Sequence, residues 1–190
     1  MQTLLMSVAL VAAAAAAAWY DIRERRIPNA LTLGALAAAL LLRVPLGMGA
    51  VGDGFAGAFL AFGLALPFFL VGGLGGGDLK FLVAVGAFLG PGRLFFALLI
   101  TAVVGAAMAF AAMLRHRALR QPAVNVHTLV TTFSWRSFRG WKREANMPFT
   151  IHSSAVITVP YGVAIAAGAL TAWFVYTANP GWSLMATLAG

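Results

Sequence analysis

Long apolar stretches joined by short polar junctions run through the chain, at about 3–20, 30–46, 50–74, 79–91, 93–114 and 153–177. Most approach the roughly 20 residues that carry an α-helix across a hydrocarbon core of about 30 Å. The stretch 79–91 is shorter, but fusing it to 93–114 would drive one helix through Pro91-Gly92-Arg93. Proline removes a backbone donor and clashes with the preceding turn, so a break is expected there. The pattern predicts an all-α, polytopic membrane protein with six transmembrane helices, forming a single membrane-embedded domain over residues 1–190. The first stretch has no basic segment before it and runs into Arg23, Arg25 and Arg26. It reads as an anchored first helix, not a removable signal peptide.

Composition sharpens this picture. Apolar residues make up 62% of the 190 positions and charged residues only 9%, against about 25% charged in soluble domains, which excludes a soluble globular fold. The absence of cysteine excludes disulfides, thiolate nucleophiles, zinc–thiolate sites and iron–sulfur clusters.

The net charge of +8 points to a cytoplasmic membrane surface and not to nucleic acid, because membrane proteins gather their cations on that side. Six alternating spans put Arg23, Arg25, Arg26, Lys80, Arg115, Arg117, Arg120, Arg136, Arg139, Lys142 and Arg143 inside. Only Arg43 and Arg93 then lie outside, with Arg43 expected to snorkel to the headgroups. Both chain termini fall on the outer side. Within the cytoplasmic loop of about 115–152, a helical wheel separates Leu129, Val130, Phe133, Phe138 and Trp141 from Arg136, Arg139, Lys142 and Arg143. A basic amphipathic helix over 128–143, lying on anionic lipid, is therefore expected.

Ionisable groups at membrane spans are candidates for function. Glu24 and Glu144 sit among arginines, and Asp53, between Gly52 and Gly54, reads as the N-cap of the third span. Asp21 closes the first helix, where the macrodipole disfavours a carboxylate, so capping does not account for it; pairing with Arg25 one turn later is the plain alternative. Asp78 ends the run Gly72-Gly73-Leu74-Gly75-Gly76-Gly77. A cap for the fourth helix would explain Asp78 but not five glycines, which suit backbone that must approach another chain closely.

The chain crosses the membrane twice between these aspartates, which returns Asp78 to the depth of Asp21. Two neighbouring carboxylates in a poorly solvated place resist ionising together, which leaves one acid and one base, the pair that water-mediated peptide hydrolysis needs. No His-Glu-x-x-His or Gly-x-Ser-x-Gly occurs. His116, His127 and His152, the last beside Ser153 and Ser154, read as loop and capping residues. Neither a metal nor a cofactor is expected.

The run Asp21-Ile22-Arg23-Glu24-Arg25-Arg26-Ile27-Pro28-Asn29, followed by Gly75-Gly76-Gly77-Asp78-Leu79-Lys80, resembles the type IV prepilin peptidase family. Phe81 to Gly90 and Val159-Pro160-Tyr161-Gly162 extend the likeness. The resemblance implies an aspartic endopeptidase of the bacterial cytoplasmic (inner) membrane. It would cut basic leaders from prepilins and pseudopilins at the cytoplasmic face, with Asp21 and Asp78 as the catalytic pair. The cysteine-bearing domain that long members associate with N-methylation is missing, so methyltransferase activity is not implied. The chain looks most like the short form serving Flp-type, tight-adherence pili, and an archaeal preflagellin peptidase is similar.

Around the pair, Gly75, Gly77 and Lys80 are candidate substrate contacts, with phosphate snorkelling as the alternative for Lys80. Pro28 and Asn29 are expected to end one segment and cap the second helix. Pro160 is expected to kink the last span, and Tyr161 to offer its hydroxyl to a buried carbonyl. Two other classes stay open: a proton-coupled transporter using the same aspartates, and a pilus-assembly scaffold without activity.

Overall fold

The computed structural model describes residues 1–70, 73–116 and 160–179. The amphipathic stretch 128–143, His127, His152 and residues 153–159 lie outside them. The described chain is helical: α1 (Gln2–Glu24), α2 (Asn29–Leu41), a 3-10 turn (Val44–Leu46), α3 (Met48–Leu70), α4 (Gly76–Leu89), α5 (Pro91–His116) and α6 (Tyr161–Ala178). By internal contacts it forms two units, residues 1–105 with 160–190, and residues 106–159. The helical core belongs to the first.

Among the described residues, five helices are long and apolar enough to cross a membrane: α1, α2 with its 3-10 extension, α3, α5 and α6. The stretch expected to supply a sixth, α4, has 14 residues and so extends only about 21 Å. Its burial explains how so short a helix fits. Leu79, Phe81, Leu82, Ala84, Val85, Gly86, Ala87, Phe88 and Leu89 are all buried, and α1, α2, α3 and α6 pack around it. A helix walled by protein need not match the thickness of the lipid. The expected break is present, since α4 stops at Gly90, φ +73°, and Pro91 opens α5, where its missing N–H costs nothing.

Between α3 and α4 the backbones touch. Gly54, Gly57, Ala58, Ala61 and Ala65 form the buried face of α3, and a Cβ placed on either Gly57 or Gly86 would collide with the other's carbonyl. Without a hydrophobic drive between helices in lipid, such small-residue seams supply the packing contacts. Gly86→Val is therefore expected to prevent accumulation of folded protein. Fluorescence-detected size-exclusion chromatography of the detergent extract checks this; a monodisperse peak at the parent's level would contradict it.

Helix direction alternates through the core. The Trp173 indole donates to Ser7 Oγ at 2.8 Å, which puts the start of α1 beside the end of α6. Arg93 at the start of α5 lies over Trp173 and Tyr176. Thus α1 and α3 end, and α2, α4 and α6 begin, at one end of the core. None of those three starts is capped by the side chain of its own N-cap residue, which is Pro28, Gly75 or Pro160.

The opposite end holds Arg43, and here the expected snorkelling is wrong. Arg43 is only 8% exposed. Its Nε donates to Ala87 O at 2.9 Å and Nη2 to Phe88 O at 3.0 Å, while Nη1 donates to Ala50 O at 2.8 Å. Two of these carbonyls lie in the last turn of α4, where helical partners run out. Asp53, expected as an N-cap, instead lies inside α3, which begins at Met48; its charge acts on Arg43.

Candidate active site

Asp21 sits in the last turn of α1, which closes when Arg25 turns left-handed at φ 52° and donates its N–H to Asp21 O. Asp21 as a residue is 6% exposed. Its carboxylate accepts a 2.6 Å hydrogen bond from the Gly162 N–H at the start of α6, and the Val163 amide and, less strongly, the Arg25 charge also act on it. Pairing with Arg25 is thus a minor part of its surroundings. Gly162 must lack a side chain here, because a Cβ would lie 2.9 Å from Asp21 Oδ2 and 3.0 Å from Ile27 Cδ1.

Asp78 is the third residue of α4, with Gly75 as the N-cap. It is not the capping residue. Its carboxylate reaches back to the Gly75 N–H, which is the return half of a capping box. A Cβ on Gly75 would lie 2.8 Å from Asp78 Oδ2. Burial pushes the Asp78 carboxyl up to about 6; the Asp21 charge adds to the rise and the Gly75 N–H opposes it. The two aspartates, far apart in sequence, therefore stand within electrostatic reach at one end of the core.

The glycine run has intramolecular uses that the sequence left to a docked peptide. Gly75 leaves room for the Asp78 carboxylate, and a Cβ on Gly77 would press on Ile27 at 3.2 Å. Ile27 was not singled out in the sequence, yet it is buried and meets both Gly77 and Gly162. The signal available was its apolar character between Arg26 and Pro28, in an otherwise polar junction.

Other expectations are revised. Pro28, not Asn29, is the N-cap of α2; its carbonyl accepts from Leu31 and Thr32, while Asn29 opens the helix and its side chain accepts from Lys80 Nζ at 2.8 Å. Pro160 stands at the N-cap of α6 and does not kink that helix. The Tyr161 ring packs over Gly105 and feels the Asp78 charge; its hydroxyl bonds no carbonyl among the described residues. No cluster of three potential metal ligands occurs among the described residues.

Fold and site together define a multi-helix membrane protein with two carboxylates drawn together at one end of its core. Over residues 8–110 the chain matches the family model described as the type IV leader peptidase family. That match covers more than half of the chain and includes both aspartates. The chain belongs to this family, and membership makes it a protease of the leader-peptidase kind. No curated protein matches it, and no solved structure does.

Proposed function

We propose that the protein is an aspartic endopeptidase of the bacterial cytoplasmic membrane. In this reading Asp21 and Asp78 cleave the leaders of Flp-type prepilins and pseudopilins at the cytoplasmic face, without methylating the new N-terminus. The observation that carries the reading is the pair itself: a buried carboxylate held by backbone amides beside a second carboxyl raised by burial and by its partner's charge. Residues 79–91 serve as a short sixth crossing with Asp78 just before it, so that Arg23, Arg25, Arg26 and Lys80 share the cytoplasmic side and anionic headgroups. A prepilin's charged leader then stays in water while its apolar helix enters lipid, which brings their junction to the aspartates.

In the free enzyme the pair holds one proton as a unit; in the productive form it sits on Asp78. Asp21 takes a proton from a water held between the carboxyls as the water oxygen attacks the scissile carbonyl carbon. Asp78 gives its proton to the carbonyl oxygen. When the C–N bond of the tetrahedral intermediate breaks, the proton on Asp21 passes to the leaving nitrogen, and Asp78 recovers its proton as the carbonyl re-forms. The pair ends with the single proton it began with.

Cleavage requires that proton, so raising the pH removes activity. The profile of kcat/KM is expected to fall on its alkaline side with an apparent pKa of about 6. The corresponding limb in kcat should lie higher, because bound substrate excludes water from the pair. A rate still rising through pH 8 in both parameters would contradict the shared proton. The direct test incubates the purified protein with a synthetic Flp-type prepilin in lipid nanodiscs containing EDTA. The expected product is one cut at the leader junction; no cut, or one abolished by EDTA and restored by zinc, overturns the proposal.

A further inference from the structure

Lys80 follows Asp78 by two residues, which sets it on a different face of α4. Its ammonium donates to Asn29 Oδ1 at 2.8 Å across 51 positions of sequence. Asn29 opens α2, and Lys80 lies near the start of α4, so one bond joins the beginnings of two packed helices.

The link between α1 and α2 runs straight into Asn29 and carries Ile27 two residues before it. Ile27 presses on Gly77, the residue before Asp78, and on Gly162, whose N–H holds Asp21. Any shift of the link therefore moves the support of both aspartates.

We propose that Lys80 is a positioning residue: by holding Asn29 it seats the α1–α2 link, so that Ile27 acts as the spacer between the supports of Asp21 and Asp78. This rests on the reading that the two aspartates perform the cleavage. The bond is exposed, and a single exposed hydrogen bond contributes too little to decide whether the bundle folds. Catalysis is far more sensitive, since a misplacement of about 1 Å can cost ~10²-fold in rate.

The test measures prepilin cleavage and thermal melting for Lys80→Met, Lys80→Arg, Asn29→Leu, Asn29→Asp and the Lys80→Met/Asn29→Leu double variant, with Asp21→Asn alongside. Lys80→Met and Asn29→Leu are each expected to lower kcat by ~10-fold or more with KM within about twofold and melting unchanged. The double variant should lose no more than either single one. Lys80→Arg keeps a donor and Asn29→Asp an acceptor, so both should stay within about threefold of the parent.

Multiplicative losses in the double variant, a raised KM with kcat intact, or a fully active Lys80→Met would each overturn the positioning role. Cleavage by Asp21→Asn would instead defeat the aspartic reading on which it rests. An inactive Asp21→Asn beside a fully active Lys80→Met defeats the positioning role alone.

Discussion

Asp21→Asn and Asp78→Asn are each expected to lower prepilin cleavage by at least ~10³-fold, and the double variant to be no worse than either. The groups act as one unit, because attack needs a base on the water and a proton for the carbonyl at the same moment, so losing either stops the reaction. The fold should survive. Asparagine is nearly isosteric, and its oxygen can still accept the Gly162 N–H that Asp21 now receives. Single-turnover kinetics with the purified variants is the appropriate measurement, and cleavage at a tenth of the parent rate by either variant would contradict the pair.

Stability should move the other way for Asp78→Asn. The carboxyl is raised from 3.8 to about 6, so ionising it costs more in the folded protein than in the unfolded chain. Its stabilising contribution is complete below about pH 3.8 and is lost as the pH rises through about 6. At pH 7 asparagine removes that penalty, by roughly 1–2 kcal/mol once partial solvent access is allowed for. Melting curves at pH 5 and pH 7 should show the gain chiefly at the higher pH.

Arg43→Met should be strongly destabilising, at about 1–3 kcal/mol for each buried carbonyl left without a donor. It removes three hydrogen bonds to backbone oxygens and leaves Ala87 and Phe88 carbonyls at the closed end of α4 without those donors. Arg43→Lys should recover only part of the loss, since one ammonium cannot reproduce the planar fork that serves three separate carbonyls. Equilibrium unfolding in mixed micelles measures both effects. Parent-like stability of Arg43→Met would show that water or lipid satisfies the carbonyls equally well.

The helical segments and the break at Pro91 were legible because they follow from local rules, apolar length and a proline without its backbone donor; the two aspartates stood out as carboxylates that capping could not explain. Arg43 was misread because the sequence gives its distance from the membrane centre but not the neighbouring helix that ends beside it. Asn29 has the chemistry of an N-cap, yet Pro28 takes that place and frees the amide for Lys80, a partner 51 positions away. Ile27 and Gly162 show the same limit. Their importance lies in what they touch, and both contacts cross between helices.

Three helices begin beside the aspartates with proline or glycine as the N-cap residue, and each start carries a partial positive charge of about half a unit. At the edge of a bilayer, where bulk solvent is scarce, these oriented amides can do the work of a hydration shell. They are already aligned before substrate arrives, so developing negative charge on a peptide carbonyl would meet a polar surrounding that need not rearrange.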